Sequence, residues 1–199
     1  MHDILYYDNG KVWGRRLACD EEIGGILCRA GSLVWFHKNG LISSIEPVFD
    51  ISVDGIPCKA GMRISFHGNG RLMRCYVPAN GLVQGIPVSS DTFLLMHESG
   101  TISACRLSND LFYEGIKCRT GTWIGLYENG CLKRCIMAED MVREGVLLKA
   151  GAWASFHPNG ILENYRLTEN TTVQGMRCCA GDILLFDENG KVSERIKPL

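Results

Sequence analysis

Apolar and polar residues alternate along this chain in short runs, and the runs recur on a fixed step. Each Asn-Gly or Ser-Gly pair has an apolar residue four places before its glycine and another two places after it. The resulting couples are Tyr6/Val12, Phe36/Ile42, Phe66/Leu72, Met96/Ile102, Leu126/Leu132, Phe156/Leu162 and Phe186/Val192. The dipeptides stand at 9–10, 39–40, 69–70, 99–100, 129–130, 159–160 and 189–190, thirty residues apart each time. Gly25, Gly55, Gly85, Gly115, Gly145 and Gly175 keep the same step. Self-similarity at one period across a whole chain signals a repeat architecture, in which each unit packs mainly on its neighbours.

Turn chemistry predicts the local structure of one repeat. In Phe156-His157-Pro158-Asn159-Gly160-Ile161-Leu162, Pro158 suits the first central position of a type I turn and Asn159 tolerates the second. Gly160 supplies the positive φ that closes a three-residue hairpin loop with a bulge. That loop length sets Phe156 opposite Leu162, whereas a two-residue loop would set it opposite Glu163. Only the first register puts apolar on apolar in every copy, and a one-residue slip would turn those side chains to the wrong face. Val34, Ile64, Leu94, Ile124, Ala154 and Leu184, two residues earlier, then face the same interior. The connectors carry Ile26-x-Cys28-x-Ala30, Ile56-x-Cys58-x-Ala60 and equivalents, which predict one further short strand per repeat between glycines. Asp20, Asp50, Asn80, Asp110, Asp140 and Asn170 are expected to bond their own backbone in a turn. No segment carries a helical period.

The expected fold is therefore all-β. Tandem thirty-residue hairpins form a single repeat domain over 1–199, in an open, elongated, two-layered, solenoid-like array. A closed six-bladed propeller-like ring is the alternative. The open form is preferred because residues 1–17 and 182–197 each make a whole hairpin, so neither end lacks half a blade. A single sheet would leave one face bare, so the connectors are expected to fold across it as a second wall.

Tandem hairpins with Phe-x-x-Asn-Gly-x-Leu at each turn resemble MORN-type repeats and their bacterial variants. The likeness covers the turn half of each repeat in all seven copies, while the thirty-residue step is longer than the MORN step. It implies an extended sheet of stacked hairpins with a scaffold or docking role, and no catalytic residues.

Charge narrows the partners. Lys plus Arg is 21 against 22 for Asp plus Glu, a net charge of −1, which argues against nucleic acid or an anionic membrane surface as the main partner. No run approaches the length of a membrane span. The first residues show no basic stretch followed by an apolar one, so a cytoplasmic protein with reduced thiols is expected.

Ten cysteines invite a chemical reading. Cys28, Cys58, Cys118 and Cys178 share a repeat position with Val88 and Leu148, and Cys75, Cys105 and Cys135 share one with Ile45 and Tyr165. Exchange with apolar residues points to buried thiols acting as small hydrophobes, with a metal or disulfide role as the lesser reading. No Cys-x-x-Cys pair occurs. Cys19, Cys131 and Cys179 fall outside both columns, and Cys179 is expected to be the most accessible. His37, His67, His97 and His157 share one outward position with Tyr7, Tyr127 and Asp187. Successive members lie roughly 10 Å or more apart, too far to share a metal ion at ~2 Å. They read as the polar flank of each turn, or else as a ligand-facing row.

Trp35, Phe93, Trp123 and Trp153 fall on the outward side of the strands, near Arg63 and the histidines. If the second layer leaves them exposed, this face is the functional surface. The candidate binding residues are thus Trp35, His37, Arg63, His67, Phe93, His97, Trp123, Tyr127, Trp153 and His157. The expected function is a non-enzymatic scaffold for another protein, with carbohydrate or small-ligand binding through the Trp/His face as the alternative. No phosphate loop, paired catalytic carboxylates, nucleophile elbow or metal signature is visible, so no catalytic residue, metal or cofactor is assigned.

Overall fold

The structure, a computed structural model, describes residues 4–90 and 92–197. Every element among them is a β-strand or an isolated bridge, joined by turns. The chain divides into two compact units, Met1–Ile102 and Ser103–Leu199, and the boundary falls just inside the strand Ile102–Arg106.

In the first unit, antiparallel neighbours follow the order Ile4–Tyr6, Val12–Arg16, Leu33–Phe36, Ile42–Ile45, Ile64–Phe66, Leu72–Tyr76 and Phe93–Met96. In the second, Ile102–Arg106 is followed by Trp123–Leu126, Leu132–Ile136, Trp153–Phe156, Leu162–Arg166, Ile183–Phe186 and Val192–Ile196. Successive hairpins hydrogen-bond to one another, as Val12–Arg16 does to Leu33–Phe36 and Leu132–Ile136 to Trp153–Phe156. Propeller blades are separate sheets that share no such ladder, so the propeller-like alternative fails within each unit, and each is an open antiparallel sheet of stacked hairpins.

The turn register is the one the apolar couples require. Tyr6 pairs with Val12, Phe36 with Ile42, Phe66 with Leu72, Leu126 with Leu132, Phe156 with Leu162 and Phe186 with Val192, each beside a bulge. At 157–161 the Gly160 N–H donates to the His157 carbonyl at 2.8 Å, with φ +81° at Gly160, and His157 N–H donates to Ile161 O. Val34, Ile64, Leu94, Ile124, Ala154 and Leu184 are buried as expected. Tyr6 is the exception among the apolar couples. It lies on the first strand, which has a sheet neighbour on one side only, and is 58% exposed.

The connectors differ from the expectation. Each holds a complete two-stranded hairpin rather than one strand. In the first unit these are Glu21–Ile23 with Ile26–Cys28, Ile51–Val53 with Ile56–Cys58, and Gly81–Val83 with Ile86–Val88. In the second they are Leu111–Tyr113 with Ile116–Cys118, Met141–Arg143 with Val146–Leu148, and Thr171–Val173 with Met176–Cys178. The repeating glycine, read from sequence as a boundary, is instead the second residue of a two-residue turn. At Asp54-Gly55 both residues have positive φ, +52° and +78°, the geometry whose twist matches a tight hairpin.

The conserved-step Asp or Asn is also differently employed. Its side chain does not close its own turn but accepts the backbone N–H ten residues on, across the mouth of the short hairpin. Ala30 donates to Asp20, Ala60 to Asp50, Ser90 to Asn80, Thr120 to Asp110, Ala150 to Asp140 and Ala180 to Asn170, at 2.7–2.8 Å. Ser90 keeps this bond although its repeat departs from the pattern at 88–91; Asp91 itself lies outside the described residues.

The short hairpins form the second layer over one face of each sheet. Val34, Ile45, Ile64 and Cys75 from the sheet of the first unit are buried along with Cys28, Ile56 and Cys58 from its hairpins. In the second unit Ile124, Cys135 and Phe156 are buried along with Ile116, Cys118 and Leu148. Lys59 N–H donates to Tyr76 O at 2.7 Å and Arg119 N–H to Ile136 O at 2.9 Å, tying layer to sheet. Arg29, Lys59 and Arg119 hold their heads in solvent, as a solvated edge row requires, while Lys149 pairs with Asp140 at 3.1 Å. In the buried column filled elsewhere by Ile45, Cys75, Cys105, Cys135 and Tyr165, the first and last hairpins carry Arg15 and Arg195. Arg15 pairs with Glu21 and Arg195 with the buried Asp182, so the outermost hairpins present polar groups where inner ones present apolar ones.

All ten cysteines are unpaired; seven are buried, Cys131 is half-buried, and Cys19 is exposed along with Cys179. Burial pushes the Cys105 thiol up to about 12, and a hydrogen bond to Cys58 together with burial pushes Cys75 up. A thiol with raised pKa and no access reacts slowly. A thiol-exchange reagent at about pH 8 is therefore expected to label Cys19 and Cys179 promptly and the buried set only after denaturation. Prompt labelling of Cys75 or Cys135, read by peptide mass, would contradict this packing.

Candidate functional site

The face of each sheet turned away from the short hairpins is built by strand alternation. Residues flanking a buried one point outward, so Val34 inside places Leu33 and Trp35 outside. In the first unit Trp35 stands opposite Gly14 and Ser44, and its indole lies across Gly14, where a Cβ would come within 2.4 Å of the ring. Trp13 packs on Trp35 with centroids 5.0 Å apart, and Tyr7 on Trp13 at 6.2 Å. Farther along, Phe93 faces Tyr76 in an edge-on contact at 6.2 Å, and the Arg74 guanidinium sits 5.5 Å from the Phe93 centroid. Arg63 is exposed.

In the second unit Trp123 stands opposite Arg106, and Trp153 opposite Ile136. Arg134 lies over Gly125, its Cγ 3.0 Å from where a Cβ would sit, and reaches within 5.9 Å of the Trp153 ring. Glycine at 125 is thus the space that lets the arginine stem lie flat. Trp153 is 48% exposed, and a hollow of about 430 Å³ opens beside it, bounded by Asn164, Arg166, Thr168 and Ile183.

Both outer faces are rich in arginine. Arg16, Arg63 and Arg74 lie on the first, against Glu46, and Arg106, Arg134 and Arg166 on the second, against Glu194. Lys117 and Lys149, by contrast, meet Glu139 and Asp140 in the hairpin layer. Among the described residues, neither Arg134 nor Arg166 has a carboxylate within ion-pair distance. Within a chain whose net charge is −1, arginines thus outnumber carboxylates on the outer face of each unit.

The histidine column does something else. His37 Nε2 lies 3.0 Å from Phe66 O, His67 Nε2 3.0 Å from Met96 O, and His157 Nε2 2.7 Å from Phe186 O. A carbonyl only accepts, so Nε2 carries the proton and donates. The tyrosines of the column act alike, Tyr7 OH donating to Phe36 O at 2.8 Å and Tyr127 OH to Phe156 O at 3.0 Å. Each ties one turn to the aromatic strand of the next repeat. The turn asparagines run in parallel: Asn39 Nδ2 donates to Gly68 O, Asn69 to Glu98 O and Asn159 to Glu188 O, while each Oδ1 accepts a backbone N–H of its own loop. His97 occupies the same turn position, closed by its N–H to Thr101 O at 2.8 Å.

The ten residues singled out by sequence thus separate. Trp35, Arg63, Phe93, Trp123 and Trp153 lie on the outer faces, half-buried or exposed. His37, His67, Tyr127 and His157 are ties between successive turns, and His97 holds the same turn position. Sequence reading passed over Trp13, Arg74, Arg134 and Arg166, whose partners are rings and hollows that no local motif announces. Among the described residues no three His, Cys, Asp or Glu side chains converge as metal ligands would, and no helix is long and apolar enough to cross a membrane. The chain matches no family model, and no curated protein is significantly similar to it.

Proposed function

We propose that this chain is a non-enzymatic repeat scaffold whose outer sheet faces dock another protein. The observation that carries this reading is the asymmetry of each unit. One face is closed by short hairpins, and the other keeps tryptophan, phenylalanine and arginine at its surface. Those residue types dominate the energetics of protein interfaces, and rigid strands hold them in place without further ordering cost. The likeness of the turns to MORN-type repeats favours the same role, and the unpaired thiols suit a cytoplasmic setting.

The test is a paired substitution, Trp123→Ala with Trp153→Ala, in the full chain. Both side chains are partly exposed, so the melting temperature is expected to change little. Proteins that co-purify with the unaltered chain from its native cells are expected to be depleted at least tenfold. Undiminished co-purification at matched stability would remove the outer face as the docking surface.

Carbohydrate binding is the second reading, favoured by the hollow beside Trp153 with Asn164 and Thr168 at its edge. A glycan screen read by tryptophan fluorescence decides it, and no quench by any sugar would eliminate it.

A further inference from the structure

The hairpin side of the sheet carries a second kind of site. The strand that leaves each hairpin loop begins with a bulged residue, and in five repeats its N–H is met by a side chain from the preceding short hairpin. Leu72 donates to Asp54 at 3.0 Å, Ile102 to Gln84 at 3.1 Å, Leu132 to Glu114 at 2.9 Å, Leu162 to Glu144 at 3.3 Å and Val192 to Gln174 at 3.0 Å. Each acceptor stands at a left-handed φ of +47° to +52°, a conformation that costs a non-glycine residue energy. The bond to the bulged amide offsets that cost, and only carboxylate and carboxamide residues fill the column.

The first repeat has Gly24 at this position, so no side chain reaches the amide of Ile42. What stands there is a groove of about 560 Å³ walled by Ile23, Ile26, Phe36, Leu41, Val53 and Phe66, with Ile42, Ser52 and glycine backbone completing it. The equivalent space in the second unit, ninety residues on, measures about 340 Å³, and Glu114 and Arg143 line it. The same groove is thus narrowed by side chains in one copy and left apolar and open in the other. Its size and lining are those of a small-molecule site, with the Ile42 amide and Ser52 as polar groups in an otherwise apolar wall.

We infer that the groove of the first repeat binds a small amphiphilic ligand, a carboxylate or carboxamide on a short apolar body. The head group accepts the Ile42 N–H as Asp54, Gln84, Glu114, Glu144 and Gln174 accept its counterparts, and the body packs on Ile26, Phe36 and Phe66. The five plugged copies specify the head-group chemistry, and the apolar walls specify the rest. An amine fails on both counts: it brings a donor to a donor, and no carboxylate lines the groove to pair with it. This site lies away from the outer face and stands or falls apart from the docking role.

The experiment is a titration of the labelled full chain with hexanoate, hexanamide and hexylamine, followed by amide chemical shifts. Hexanoate and hexanamide are expected to move the Ile42 amide saturably, together with Gly24, Gly25 and Gly70, and hexylamine is expected not to. Gly24→Gln supplies the missing plug in the backbone conformation that Gln84 and Gln174 already adopt. Its Cβ would meet only the far end of the Ile42 side chain, at 2.7 Å, which a rotation relieves. This variant is expected to lose the hexanoate response at Ile42. A flat titration, an equal response to hexylamine, or an unchanged response in Gly24→Gln would each overturn the inference. Because hexylamine is compared on the unaltered chain, the result does not depend on the variant folding.

Discussion

Phe156→Ala is expected to destabilise the protein by about 3–5 kcal/mol, the range for deleting a fully buried aromatic side chain. Phe156 has no exposed surface, lies across the ladder from Leu162, and sits in the core shared with Leu132 and Ile116 in the second unit. The loss has two parts: apolar surface returned to water, and a cavity that rigid strands on both sides cannot close. Urea unfolding measures it, with a lower midpoint at an unchanged slope. Phe112→Ala is the control. Phe112 is the same residue type in the outward position of a short hairpin, 70% exposed, and its replacement is expected to stay within about 0.5 kcal/mol. Equal costs at the two sites would mean that the face assignment is wrong.

Gly55→Val is expected to cost about 1–3 kcal/mol, for a different reason. Nothing lies within 4 Å of a Cβ built at Gly55, so no clash contributes. The cost is conformational: φ is +78°, a region that a β-branched side chain strongly resists. Gly55→Asn should cost less, because asparagine tolerates left-handed backbone. Gly68→Ala separates this effect from loss of glycine as such. Gly68 has open space around it and no left-handed φ, so alanine is expected to be neutral or to stabilise slightly. A Gly55→Val protein that melts with the unaltered chain would contradict the tight-turn geometry at Asp54-Gly55.

The hairpins were legible in the sequence because their information is local. Phe156 and Leu162 are six residues apart, and a loop-length argument from Pro158, Asn159 and Gly160 decides which of two registers pairs them. The buried columns were legible for a related reason, since Cys58 and Cys118 exchange with Val88 and Leu148 at one step of the repeat. The connectors were half legible. Ile51-Ser52-Val53 is too short a run to read as a strand by alternation, and Asp54-Gly55 is itself a hairpin signal that the stronger thirty-residue pattern masked. Asp50, read as a local turn residue, bonds instead to Ala60 across the short hairpin it precedes.

Less of the candidate site could be read. His157 lies beside the turn as expected, yet its partner is the Phe186 carbonyl, twenty-nine residues on. Every residue has a carbonyl, so sequence alone cannot say which one a side chain meets. The arginine-rich outer face was hidden by arithmetic: a net charge of −1 averages Arg134 and Arg166 on one side of the second unit with Glu139 and Asp140 on the other. The column of Asp54, Gln84, Glu114, Glu144 and Gln174 was visible as residue types, but its role appears only when the bulged amide eighteen residues later is placed beside it.

Amide hydrogen exchange resolved by residue most directly tests the claim that positions thirty apart share one backbone environment. Protection is expected to rise and fall with that step. Ile64, Ile124 and Leu184, on inner sheet strands with neighbours on both sides, should be slow together, and Asn39, Asn69, Asn129 and Asn159, at the turn tips, fast together. Protection without that period, or slow exchange running unbroken through the turn tips, would contradict the stacked-hairpin account.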